Sequence, residues 1–406
     1  MERPPQGTVT VRGPQRFEEV LAYRGIIAIL LVLFHAHQYL VYLDEAAHDT
    51  NTVLNTVFSG LRFSGCFFTL SGFLLFLPLA RALLSGKPGP TRWHFLRRRL
   101  VRIVPLYYIA YTSIWLLSYT GDPMQRLDLL AHLTFTHIFF PQFVFGAVAP
   151  AWSLSVEMLF YVGLIAVFPP LNALCRRISP ERRFIILILG LIGCTVGSLT
   201  YKWWAFAVAA IPLADLSIYY GPFAHLDSFA FGMLIAVVVA SGKVRCCRYG
   251  AGSLGVVGGG ALFTLIALRA DTALVQVFYH SLSSAAFALI LASTTLVIER
   301  PRWVRLIDRR PFRSVGTISY SVYLWHEPAL VVALGLFLPY ADTAMPALFV
   351  VGGVALALAS AMISYRLLER PAQRLSDPAF WARLRPERYL LFRRADVRLF
   401  WRGRVG

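Results

Sequence analysis

The sequence predicts an all-α, polytopic integral membrane protein of about ten transmembrane helices. Of its 406 residues, 57% are hydrophobic and 15% charged, whereas a soluble domain keeps roughly a quarter of its residues charged. Apolar runs long enough to cross a bilayer recur along the whole length. Polar sequence is concentrated in the first ~20 and last ~35 residues, so no separate soluble domain is expected.

The expected spans cover 23–43, 61–80, 101–120, 151–170, 184–204, 221–240, 250–269, 276–298, 317–338 and 346–368. An even number of spans puts both termini on one side. All but four of the 39 Lys and Arg residues fall in the termini and alternate loops, with their flanking helix ends. The exceptions are Arg62, Arg126, Lys202 and Arg269. The positive-inside rule then places both termini in the cytosol. The first run is long and lacks a small-residue cleavage site, so it is expected to remain as an anchor. The net charge of +18 lies between spans rather than on one polar face, which argues against a nucleic-acid partner. Aromatic residues and arginine mix from Phe380 to Arg404, which suits an interfacial tail on anionic membrane lipids. Five scattered cysteines read as reduced thiols.

Ionisable residues inside spans are functional candidates by default. In the first span Arg24 and His35 are eleven residues apart, about 20° past three full turns, so they share a face. The rise between them is roughly 16 Å. Gln38 and Tyr42 continue the stripe, and His37 points the other way. Alternatively, Arg24 is a snorkelling anchor and His35 a packed helix–helix hydrogen bonder.

The second span carries Gly65, Ser71 and Gly72, which fit either a narrow ligand passage or close helix packing. At the start of the third, Arg98 adjoins Arg99, with Arg102 one turn on. Several guanidinium forks together suit a polyphosphate-bearing ligand, although a basic loop that only sets topology would look the same. The fourth span places Ser153, Glu157 and Tyr161 four residues apart on one face. Glu157 lies at a depth similar to His35 and is expected to orient it, since a carboxylate raises the basicity of an imidazole. The ninth puts Tyr323, His326 and Glu327 near mid-membrane, His326 being the alternative partner for His35. After the tenth, Glu369 is expected to meet a cytosolic arginine.

These residues resemble the acyltransferase family 3 membrane proteins. The resemblance spans roughly 17–372 and rests on an ordered set. Arg24 and His35 are followed by FFTLSGFLL from Phe67 and by Arg99-x-x-Arg102-Ile-x-Pro105. WSLSVEMLFY from Trp152, FAFGM from Phe229, SYSVYLWHEP from Ser319 and LERP from Leu368 complete it.

The resemblance implies a bacterial plasma-membrane O-acyltransferase that uses acyl-coenzyme A from the cytosol. It implies His35 as catalytic base, with first- and third-span arginines handling the donor's charged part. The acceptor would be a hydroxyl of a glycan, a lipid-linked sugar or a small glycosylated metabolite, on which the chain is expected to act directly.

The candidate catalytic residues are therefore His35 and Glu157. Donor-binding candidates are Arg24, Arg98, Arg99, Arg102, Ser71 and Gly72, with Ser153, Tyr161, Tyr323 and His326 as secondary candidates. No metal and no permanently bound cofactor is expected; acyl-coenzyme A is a co-substrate. The organisation expected is a cytosolic segment (1–16), the transmembrane domain (17–372) and a basic tail (373–406). A proton-coupled transporter would also use intramembrane His, Arg and Glu. The two halves show no repeat that would favour it.

Overall fold

The computed structural model describes residues 19–43, 53–244, 247–267, 272–297, 301–337 and 345–375. The expected segment 1–16, the tail beyond Leu375 and Arg269 lie outside the described residues. Those described form helices and connecting turns. The chain runs α1 (Glu19–Leu43), α2 (Val53–Ser59), α3 (Ser64–Ser85), α4 (Arg92–Ser118) and α5 (Pro123–Leu133). Short 3₁₀ turns then lead to α6 (Trp152–Arg177), α7 (Pro180–Trp203), α8 (Leu216–Tyr219) and α9 (Leu226–Ser241). The second half holds α10 (Arg248–Ala267), α11 (Ala273–Thr295), α12 (Val304–Ile307), α13 (Arg310–Thr317), α14 (Ser319–Phe337), α15 (Met345–Ser364) and α16 (Arg370–Leu375).

Among the described residues nine helices are long and apolar enough to cross a membrane. The chain is a multi-pass, all-α membrane protein. The remaining expected span is α14, 19 residues long and so about 28 Å by helical rise. Its Ser319, Ser321, His326 and Glu327 lower its hydropathy.

Local chemistry sets several helix ends. The Asp122 side chain accepts from the Met124 amide at 2.8 Å with Pro123 behind it, starting α5. Gly86 and Gly242 adopt left-handed φ of 66° and 63° and close α3 and α9.

Two helix crossings depend on missing side chains. A Cβ on Gly72 would strike the Phe229 carbonyl, and one on Gly232 the Thr69 carbonyl, so α3 and α9 meet backbone to backbone. Gly25 likewise faces the Phe312 carbonyl and Gly316 the Leu21 carbonyl. That contact sets α1 against α13, one residue from Arg24.

Lys202, one of the four basic residues outside the alternate loops, lies buried at the end of α7. Its Nζ donates to Asp227 Oδ2 at 2.8 Å and to the Ser281 hydroxyl, joining α7, α9 and α11. Removing one partner of such a buried pair typically costs about 3–5 kcal/mol, whereas replacing both with apolar groups is often neutral. Lys202→Met should therefore lower the thermal unfolding midpoint in detergent, and Lys202→Met/Asp227→Leu should restore most of the loss.

Candidate active site

Two cavities lie along the face of α1 that bears Arg24 and His35. The first, of about 290 Å³, is lined by Arg24, by Ser71 of α3 and by Arg99 and Arg102 of α4. Ser153, Glu157 and Tyr161 of α6 and Tyr323 of α14 complete its polar wall. The arginines gather here because Arg99 and Arg102 are one turn apart on α4 while α1 enters beside it.

Counter-charges hold this cluster together. Arg102 Nε is 3.9 Å from Glu369 Oε1. Glu369 is fully buried and accepts from Ser321 Oγ at 2.7 Å and Gln373 Nε2 at 2.9 Å. It ends a five-residue π turn, Tyr365–Glu369, a geometry frequent at functional sites. Glu157 accepts from Ser71 Oγ at 2.8 Å and attracts both Arg24 and Arg99. Three guanidinium groups against two carboxylates leave a positive cavity suited to phosphate oxygens.

The second cavity, of about 280 Å³, is lined by His35, Gln38, Arg62, Trp152, Tyr219, Tyr220, His280 and Glu327. His35 Nδ1 lies 3.0 Å from the Leu31 carbonyl and 3.3 Å from His326 Nε2. His35 Nε2 lies 3.8 Å from Glu327 Oε1. The proton positions follow from the partners. His326 Nδ1 faces the Tyr323 and Val322 carbonyls at 2.8 and 3.2 Å, so it carries the hydrogen and Nε2 accepts. His35 Nδ1 then faces two acceptors and must donate. With both rings neutral, the free lone pair of His35 is on Nε2, which points toward Glu327.

Tyr323 and Ser64 line both cavities and form the wall between them. The Tyr323 hydroxyl donates to the Pro150 carbonyl and accepts from Ser153 Oγ at 2.6 Å. α14 thus supplies the wall at Tyr323 and, one turn on, His326 and Glu327 beside the imidazole.

The expected pairing of His35 with Glu157 is not formed. Glu157 belongs to the arginine cavity, bonded to Ser71, because α6 turns that face toward α3 and α4. His326 is the residue that meets His35. Arg98 is exposed and does not line the cavity, since one residue rotates it 100° from Arg99. Gly65 and Gly72 pack against α11 and α9 rather than lining a passage. Arg24, Arg99, Arg102, Ser71, Ser153, Tyr161 and Tyr323 come together as lining of one cavity. Sequence reasoning left Glu327, Arg62 and His280 unassigned. For Glu327 the signal was its place beside His326; for Arg62 it was its position among the exceptions to the charge pattern.

The acyltransferase-domain profile matches residues 21–366. The chain belongs to the acyltransferase family 3 of membrane proteins. One relative is BcsY of Komagataeibacter xylinus, which bears the name of a membrane-bound transacylase. It is 27% identical over 374 residues, 87% of this chain and 82% of that protein. The exopolysaccharide production protein ExoZ of Rhizobium meliloti is 26% identical over 319 residues, 76% and 88% of the two chains. The O-acetyltransferase OatA of Staphylococcus aureus is 23% identical over 338 residues, 77% of this chain but 53% of that protein. No solved structure matches the chain. The acyltransferase match spans α1 to the start of the π turn and so takes in both cavities.

The proton assignment can be checked directly. In protein labelled with ¹⁵N-histidine, solid-state NMR should find His35 and His326 protonated at Nδ1 in their neutral forms. A neutral His35 protonated at Nε2 would contradict the geometry.

Proposed function

We propose that the chain is an O-acyltransferase that takes an acyl group from acyl-coenzyme A at the arginine cavity. It passes that group to a hydroxyl held in the His35 cavity. The arginine-rich end faces the cytosol, as do both termini, in a bacterial plasma membrane. The observation that carries this reading is the division of labour along α1, with Arg24 in one cavity and His35 in the next. Coenzyme A has the same division, with phosphates at one end and the thioester on a long thin arm at the other. Helical rise puts about 16 Å between the cation and the base, a separation that suits such a ligand.

The chemistry follows from the lone pair on His35 Nε2. The imidazole takes the proton of the acceptor hydroxyl as its oxygen attacks the thioester carbonyl. The tetrahedral adduct collapses with cleavage of the carbon–sulfur bond. The leaving thiolate takes the proton back from His35, giving the ester and coenzyme A. Glu327, 3.8 Å from Nε2, lies where it steadies the transient imidazolium. His326 keeps Nδ1 committed as a donor, so the reactive lone pair stays on Nε2. Arg24, Arg99 and Arg102 take the diphosphate, and Glu157 holds Arg24 and Arg99 in place until it arrives. The acceptor class is a glycan, a lipid-linked sugar or a small glycosylated metabolite. The relatives' names, an exopolysaccharide production protein and an O-acetyltransferase, support it.

His35→Ala should reduce transfer on the order of 10²–10⁴-fold while coenzyme A binding and membrane insertion persist. Mass profiling of envelope glycans, lipids and small metabolites in a deletion strain identifies the acceptor by its lost acyl mass. Wild type should restore that mass and His35→Ala should not; restoration by the variant overturns the mechanism. Separately, Arg99→Ala/Arg102→Ala should weaken coenzyme A binding in correctly inserted protein. Lysine at both positions should rescue only in part, since it keeps the charge and loses the fork. Unchanged binding in the alanine variant rules out the phosphate clamp.

A further inference from the structure

Four basic residues fall outside the arginine-rich side of the sequence pattern, and three of them are described. Lys202 is neutralised by Asp227 at 2.8 Å. Arg126 is exposed and donates to the Tyr119 hydroxyl at 2.8 Å. Arg62 differs from both. It is half-buried and lines the His35 cavity, yet it makes no hydrogen bond or ion pair among the described residues. Its Nε is buried with no partner. Its guanidinium makes a cation–π contact, Cζ lying 5.7 Å from the centre of the ring of Phe34, the residue next to His35.

The backbone that carries Arg62 is anchored close by, and the Nε end of its side chain is buried. Arg62 sits in the short connection between α2 and α3. There the Gly60 carbonyl accepts from the Tyr279 hydroxyl at 2.5 Å, and a Cβ on Gly60 would strike Ile266. Among the described residues Glu327 is the only carboxylate lining this cavity, and it faces His35. A guanidinium with a buried, unpartnered Nε, lining a cavity beside aromatic walls in a membrane protein, is costly unless a ligand brings the counter-charge. Gln38 and His280 share the cavity and add hydrogen-bonding capacity near it.

We propose that the His35 cavity is built for an anionic acceptor. Its carboxylate or phosphate ester engages Arg62 while a hydroxyl on the same molecule is presented to His35. This rests on the reading of that cavity as the acceptor site and adds the acceptor's charge. A forked guanidinium reads either oxyanion, so a uronic acid and a sugar phosphate are the two sources of the same chemistry.

Binding to the purified full-length protein separates these cases without turnover. Calorimetric titrations would compare methyl glucuronoside, glucose 1-phosphate and neutral methyl glucoside. At least one anion should bind ~10-fold or more tightly than methyl glucoside, the worth of one charge-assisted hydrogen bond. The tighter of the two names the source. Arg62→Gln should erase the preference and Arg62→Lys keep part of it, with coenzyme A binding unchanged in both as the control for folding. The proposal is overturned if methyl glucoside binds as well as both anions, including no detectable binding of any of the three. It is also overturned if the preference survives Arg62→Gln. Failure of the donor reading shows elsewhere, as wild-type protein that does not bind coenzyme A.

Discussion

A charge held within hydrocarbon has to find its opposite inside the bundle, and this one constraint accounts for much of the architecture. Lys202 and Asp227 meet at 2.8 Å and tie three helices together. Arg102 meets Glu369 at 3.9 Å, and Glu369 is in turn fixed by Ser321 and Gln373. Glu157 shares a cavity with Arg24 and Arg99, attracts both, and accepts from Ser71. Each pairing joins helices distant in sequence, so the electrostatics that make these residues tolerable also fix where the helices cross. Glycine-to-carbonyl contacts at Gly25, Gly72, Gly232 and Gly316 then let the helices approach closely enough for short side chains to reach.

Where the charges do not balance, the structure has cavities. The arginine cavity is left positive, and the neighbouring cavity holds an imidazole whose tautomer is set by its surroundings. Tyr323 stands between them, its hydroxyl occupied on both sides by Pro150 and Ser153. For the proposed thioester donor the separation would matter chemically, because a thioester exposed to an open aqueous channel would be lost to water. In the proposed reaction, a donor anchored by its phosphates on one side of the wall would present only its narrow end to the base on the other. The proposal thus assigns binding and chemistry to different cavities, both lined by residues of α1.

Much of this was legible in the sequence, and the boundary has a physical explanation. The shared face of Arg24 and His35, and the one-turn spacing of Arg99 and Arg102, follow from helical periodicity. The meeting of Glu369 with an arginine followed from charge and depth. What a single helix cannot reveal is which neighbour its face turns toward. Glu157 matched His35 in depth and lost the pairing to His326, because α1 lies beside α14 there while α6 faces α3. Arg98 shared the basic run of Arg99 but points away from it. Gly65 and Gly72 suited a passage as well as a packing contact, and only the positions of α9 and α11 decide between these. Arg62 was visible as an exception to the charge pattern, but its meaning needed the cavity around it.

The central claim is directional: the donor enters from the arginine-rich face and the acyl group is handed on beyond the Tyr323 wall. Membrane vesicles of opposite orientation, prepared from cells that make the protein and its natural acceptor, test this directly. With radiolabelled acetyl-coenzyme A supplied outside, inside-out vesicles should incorporate label in a manner that depends on the protein. Sealed right-side-out vesicles should not. Equal incorporation in sealed right-side-out vesicles would contradict the assignment of the two cavities.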